Sequence, residues 1–193
     1  MAMQEFSSMF IHNLTTAALI MLLALSAFGG DRTGAGDCAF AHGSGEFRPF
    51  ANCLERDTAG RLFVSRKLIK KLLFQENSLA EVYSPEHGWM YVNRKGQVII
   101  QGVAAMDNGA DRFNDGLVRF STKGKWGFAD VAGHAVIPPS YDGALNYDKG
   151  IARVCVGCKD ACVDRNCEYH QFEGGKWLCL DTAGKEVNCP FSP

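Results

Sequence analysis

Lys125-Trp126-Gly127-Phe128-Ala129-Asp130-Val131-Ala132-Gly133-His134-Ala135-Val136-Ile137-Pro138-Pro139 is the stretch that decides the fold. It reads as strand, turn, strand. Trp126 and Phe128 alternate with small residues, so both rings fall on one face of an extended chain. Asp130 opens a turn, because its carboxylate can accept a hydrogen bond from the backbone two residues on. Gly133 closes the turn, at a position that often needs positive φ. Ala135-Val136-Ile137 resumes an apolar strand, and Pro138-Pro139 is expected to end its pairing.

Moving outward, the same grammar recurs. Asp/Asn-x-x-Gly appears at Asp57–Gly60, Asn93–Gly96, Asp130–Gly133 and Asp181–Gly184, with glycines 36, 37 and 51 residues apart. An apolar strand follows each: Leu62-Phe63, Val98-Ile99, Ala135-Val136-Ile137 and Val187. Trp89, Trp126 and Trp177 each stand seven residues before a turn glycine. A second element precedes the tryptophans: Leu79-Ala-Glu-Val82, Leu117-Val-Arg-Phe120 and Ile151-Ala-Arg-Val154. Its distance to the following Trp is seven, six and then 23 residues, so the last copy carries an insertion. A repeated three-stranded meander explains this pattern. One such unit buries too little apolar surface to stand alone, so neighbours must stack.

One helix is expected to interrupt the strands. Ser65 is a candidate N-cap, and Leu68, Ile69, Leu72 and Leu73 recur at helical spacing through Phe74. Arg66, Lys67, Lys70 and Lys71 would form its wet face. The fold class is therefore all-β: stacked short antiparallel β units, with one short helix near the N-terminal end.

The central copy resembles the WG repeat family, also written WG/KWG. The match rests on Lys125-Trp126-Gly127, Phe128-Ala-Asp130, Gly133, Val136-Ile-Pro-Pro139, Tyr141-Asp142, Ala144 and Gly150-Ile-Ala. The outer copies depart from it: Trp89-Met90 lacks the double proline, and Trp177-Leu178 is followed by Asn188-Cys189-Pro190. The resemblance implies an exported bacterial all-β protein without an assigned activity. It supplies no catalytic residue. Within it, Trp89, Trp126, Trp177, Asn93, Asp130, Asp181, Gly96, Gly133 and Gly184 have structural roles.

Leu14 to Phe28 is an apolar run without charge, followed by small residues suited to a signal peptidase. Residues 1–28 are expected to be a signal peptide or, if uncut, a membrane anchor. No Lys or Arg precedes the run. Its removal takes away Glu5 alone of the ionic side chains and leaves 20 basic and 20 acidic residues. A neutral surface argues against nucleic acid, whose phosphates call for clustered Lys and Arg. Residues 29–52 read as an N-terminal extension, and residues 53–193 as the repeat domain, with a Cys-rich insertion at 155–170.

All eight cysteines follow the leader: Cys38, Cys53, Cys155, Cys158, Cys162, Cys167, Cys179 and Cys189. An even number in an exported chain favours disulfides. Eight cysteines allow about 105 pairings. Proximity favours Cys38 with Cys53 and Cys179 with Cys189, the other four pairing within the insertion. In a reducing compartment Cys155, Cys158, Cys162, Cys167 and His170 would instead suit zinc.

Asp57, Asp130 and Asp181 recur at a turn position, which argues for structure rather than paired acids. Asp107, Asp111 and Asp115 lack the spacing and closing Glu of a calcium loop. Gly43-Ser44-Gly45 is not a nucleophile elbow. No catalytic residue and no cofactor are expected. The leading expectation is a non-enzymatic binding or scaffold module of the cell envelope, in the periplasm or outside the cell. Its partner would be another protein or an envelope component, and it would touch membrane only through an uncut N-terminal segment. The alternatives are an envelope hydrolase or thiol-redox enzyme, or a zinc protein, using the Cys/His cluster.

Overall fold

The computed structural model describes residues 32–43, 45–106, 109–166 and 170–190. The expected leader lies outside them, as do Ser44, Asp107 and Cys167. No helix among the described residues is long and apolar enough to cross a membrane.

The chain is all-β and antiparallel. Its strands are β1 (Thr33–His42), β2 (Glu46–Arg56), β3 (Leu62–Val64), β4 (Leu79–Ser84), β5 (Gly88–Asn93), β6 (Val98–Val103), β7 (Ala105–Met106), β8 (Gly109–Ala110), β9 (Leu117–Thr122), β10 (Lys125–Asp130) and β11 (Ala135–Tyr141). There follow β12 (Gly143–Ala144), β13 (Ile151–Val156), β14 (Lys159–Cys162), β15 (His170–Glu173), β16 (Lys176–Asp181) and β17 (Glu186–Val187). Nine strands form one sheet in the order β11-β10-β9-β6-β5-β4-β1-β2-β3. Four more form a second sheet, β12-β13-β16-β17, and the hairpins β14-β15 and β7-β8 stand apart.

These strands group into four meanders: β1-β2-β3, β4-β5-β6, β9-β10-β11 and β13-β16-β17. Three equivalent pairs fix the common register: Leu79 faces Asn93, Leu117 faces Asp130, and Ile151 faces Asp181. The first meander draws β1 and most of β2 from residues 29–52. Cys53 stands seven residues before Gly60, where the later units place tryptophan.

All four Asx-x-x-Gly segments fold into the same turn. Each glycine N–H donates to the carbonyl of the opening Asp or Asn at 2.8–2.9 Å. In each, the opening side chain accepts from the backbone two and four residues on, as Asp130 Oδ1 does from Ala132 N (2.9 Å) and His134 N (2.8 Å). Asp57, Asn93 and Asp181 repeat both bonds. The glycines have φ between +77° and +86°.

Stacking explains the other demand on these glycines. A Cβ on Gly133 would lie 2.6 Å from the carbonyl oxygen of Ile99 in the preceding unit. One on Gly96 would meet Val64 O at 3.2 Å, and one on Gly184 would meet Ile137 Cγ1 at 3.0 Å. Each turn therefore rests on the third strand of the unit before it. Gly60 belongs to the first unit, and a Cβ there meets nothing within 4 Å.

Each junction has its own apolar core. Phe40, Leu54, Val64, Val82, Met90 and Val92 fill the first, inside β1–β6. That sheet curls until β3 approaches β6, through the bridge of Phe63 with Gln97 and the Val64 N to Gly96 O bond (2.7 Å). Tyr91, Ile100, Val103, Val118 and Ala129 fill the second junction. Phe128, Ile137, Tyr147, Ala152, Val154 and Leu180 fill the third. Nearest-neighbour cores of this kind are how repeat arrays hold together.

Two expectations need correction. The helix over Ser65–Phe74 is only a 3-10 turn, Ile69–Lys71, with no side-chain cap. Leu68, Leu72 and Phe74 all turn toward the first core, and Leu72 is already extended (ψ 136°). A run this short gains little from helical hydrogen bonds, so apolar burial sets its path. Second, β11 does not stop at Pro138-Pro139 but continues to Tyr141, with a register shift across that stretch. It is the sheet's edge strand, where a missing N–H costs no ladder bond.

Candidate functional site

The fourth unit breaks the repeat plan, and the cleft lies there. On β13, Ala152 and Val154 point into the third core, so Arg153 and Cys155 take the opposite face. Across the ladder Cys155 faces Trp177 and Arg153 faces Cys179. Arg153 and Trp177 are thus diagonal neighbours on one face, within reach of a long side chain. The Arg153 guanidinium lies 5.0 Å from the Trp177 ring centroid.

The insertion folds back over this face. Cys155 and Cys158 form a disulfide that clips its start to β13, and both residues are buried. Asp142 ties the same corner: its carboxylate accepts from Gly157 N (2.7 Å) and pairs with Lys125 Nζ (2.5 Å). The Gly157 N–H, with Lys125 beside it, holds the Asp142 carboxyl below its usual range. The β14-β15 hairpin carries Phe172 against the edge of the Trp126 ring, centroids 5.8 Å apart. Gly143 has no room for a Cβ beneath it, since Phe172 Cγ would lie 2.6 Å away.

Between hairpin and sheet is an open cleft of about 400 Å³, lined by Arg119, Leu145, Arg153, His170, Gln171, Phe172 and Trp177. The two arginines differ in state. Arg119 is locked: its Nε donates to Asp111 Oδ2 (2.8 Å) and its Nη1 to Ala144 O (2.9 Å). Asp111 is fully buried and also accepts from Asn146 Nδ2 (2.8 Å). Arg153 makes no side-chain hydrogen bond or ion pair among the described residues; its contact is the Trp177 ring. His170 Nδ1 lies 3.0 Å from Asp160 Oδ1, both half exposed. A smaller cleft of about 250 Å³ continues past Leu145, lined by Leu145, Asn146, Asp148, Ile151 and Arg153.

Both pairs that proximity favours are present. Cys38 bonds Cys53 across β1 and β2, and Cys179 bonds Cys189 at the last hairpin. Cys162 is also disulfide-bonded. Of the alternative ligand set Cys155, Cys158, Cys162, Cys167 and His170, the first three are disulfide-bonded here and Cys167 lies outside the described residues. Trp89, Trp126 and Trp177 occupy equivalent strand positions, all half buried. Trp126 packs against the third core and Trp89 against the second, whereas Trp177 turns to the cleft. Asp111 supports Arg119, and Asp115 Oδ2 accepts from Gly150 N (2.7 Å).

The cleft's arginines escaped the sequence reading. Their signal was present: Leu117-Val-Arg and Ile151-Ala-Arg place Arg at the same point of two units. On a strand the third position shares its face with the first, so Arg119 and Arg153 lie on the side of their strands opposite Val118 and Ala152. What the sequence hides is that an insertion arches over both.

Residues 126–159 match the WG containing repeat family. The matched stretch runs from the tryptophan strand of the third unit through the first strand of the fourth, and ends where the insertion opens. No curated protein and no solved structure matches the chain.

Proposed function

We propose that this chain is a non-enzymatic binding module of the cell envelope, and that the insertion-side cleft is its recognition face. The observation that carries this reading is the departure of the fourth unit from its siblings. There a disulfide-clipped hairpin arches over the sheet and makes a concave surface with aromatic walls and a guanidinium. Loops held by a rigid scaffold are where binding residues concentrate, and this cleft sets Arg119, Arg153, His170 and Gln171 beside Leu145, Phe172 and Trp177. The repeat family fits a scaffold, with each unit serving as framework for the next.

Leu145 supplies the test. It is exposed and lines both clefts. Leu145→Glu leaves the cores untouched and sets a carboxylate beside Arg153. The oxidised protein, immobilised, should retain a partner from envelope extract that the Leu145→Glu protein does not retain at equal folding by near-ultraviolet circular dichroism. Retention of the same partners by both proteins would refute the assignment of this face.

A further inference from the structure

We infer that the cleft takes an acidic segment of a protein partner, with a carboxylate docked on Arg153 and an apolar neighbour against Trp177, Phe172 and Leu145. This rests on the binding-module reading and names the partner's chemistry.

The argument starts from charge. Among the described residues lining the larger cleft none is acidic, and three can carry positive charge: Arg119, Arg153 and His170. Asp111 neutralises Arg119 from behind, and Asp160 faces His170. Arg153 is left as the uncompensated charge. Stacking on an indole satisfies the face of a guanidinium and leaves its N–H edge free for an acceptor in the plane. A carboxylate fits that edge with two parallel hydrogen bonds. Half-burial on Trp177 also strips part of Arg153's water, which strengthens the pair relative to a surface contact.

The shape of the surface selects a polypeptide. The two clefts share Leu145 and Arg153 and meet as one groove. Its charge changes sign along the way, from Arg153 to Asp148, across the apolar side chain of Leu145. A peptide can present acid, apolar and basic or neutral side chains in that order. An acidic polysaccharide repeats its carboxylates and would bring one against Asp148. Arg119, held by Asp111 and Ala144, serves as a rigid wall and positions the Leu145 loop from below.

The experiment is selection of a random linear peptide library, displayed on phage, on the oxidised full chain. Enriched peptides should carry Asp or Glu beside an apolar residue. Synthetic copies should bind the Arg153→Gln protein about tenfold to a hundredfold more weakly, the range of one lost charge-assisted contact. Replacing the peptide's acid by its amide should cost a similar factor, and added salt should weaken binding further. Arg153→Lys keeps the charge and loses the planar fork, so it should fall between the two. Enriched peptides without acids, or equal binding to Arg153→Gln at unchanged melting temperature, would overturn the proposal. So would displacement of the peptides by a glucuronate oligomer at equal carboxylate concentration, which would assign the groove to acidic glycans. If Leu145→Glu abolishes retention of the envelope partner while Arg153→Gln does not, the carboxylate assignment falls and the module reading stands.

Discussion

Replacing Gly133 and Gly60 by alanine separates backbone strain from repeat stacking, because the two positions share one and not the other. Their φ angles are +86° and +81°, so alanine pays the same left-handed cost at both, about 1–2 kcal/mol. Their surroundings differ. At Gly60 the new methyl meets nothing within 4 Å. At Gly133 it meets Ile99 O at 2.6 Å, Ile99 Cβ at 3.0 Å and Ile99 C at 3.2 Å. Those are mostly backbone atoms of β6, and no rotamer change moves them. The junction between the second and third units must open instead, at the roughly 1–3 kcal/mol typical of overpacking. Gly133→Ala should therefore cost roughly 2–5 kcal/mol in total, and Gly60→Ala about 1–2 kcal/mol. Gly96→Ala should fall between them, because its closest contact is the flexible end of Ile69 at 2.6 Å, which can swing aside. Guanidinium unfolding of the disulfide-intact protein, followed by tryptophan fluorescence, gives the midpoints and slopes. In thermal scans each kcal/mol should appear as roughly 2–4 °C. If Gly60→Ala destabilises as much as Gly133→Ala, the turns do not rest on their neighbours, and the stacking account is wrong.

Three further outcomes follow from the polar framework. Asp130→Asn should keep the turn, since Asn93 makes the same bonds in the second unit. It should also reduce acid sensitivity. The His134 and Ala132 N–H groups and the His134 side chain hold the Asp130 carboxyl below its ordinary value against partial desolvation. A lowered native value contributes stability that is present above the ordinary carboxylate range and is lost as pH falls from that range through the lowered native value. Acid titration of the melting temperature should thus be shallower for Asp130→Asn, and an unchanged slope would rule the effect out. Asp111→Ala should cost roughly 3–5 kcal/mol by stranding Arg119, which is 14% exposed, beside an empty site. Adding Arg119→Met should restore much of that loss in the same denaturation assay, and no recovery would mean the pair is not the cause. Peptide mapping without reductant should recover Cys38 linked to Cys53 and Cys179 linked to Cys189, and free thiols at any of the four would contradict the fold's staples. Opening the first bond by Cys53→Ser should cost about 2–4 kcal/mol.

What the sequence disclosed was its local chemistry. Asp130 and Gly133 announce their turn because the hydrogen bonds that make it run between residues two to four apart. The tryptophan strands follow from alternation next to those turns. The failures are cases where a distant partner overrode a local rule. Leu68, Ile69, Leu72 and Leu73 have helical spacing, yet Leu72 and Leu68 serve the first core and Leu73 is 53% exposed. Burial inside a curled sheet decided their path. Pro138-Pro139 stops pairing on a central strand, but β11 is an edge, and edges cannot be recognised from composition. Arg153 looked like the polar side of a strand because its companions, Trp177 and Phe172, are about twenty residues away in sequence.

The place of the insertion follows from the stacking itself. The third unit has both faces occupied: Leu117 and Phe128 enter the third core, Val118 and Ala129 the second. The second unit is likewise filled, with Met90 and Val92 on one side and Tyr91 on the other. An added loop across either face would displace a neighbour and forfeit a whole junction. The fourth unit buries Ala152, Val154 and Leu180 inward, and among the described residues no further three-stranded unit lies against Arg153, Cys155 and Trp177. On that outer face a long insertion costs no junction. It must instead supply its own cover, which Phe172 and the buried Cys155–Cys158 bond provide. A concave, chemically individual surface is then the expected product of placing extra residues on this outer face, and the Arg153 left on it has the Trp177 ring as its contact.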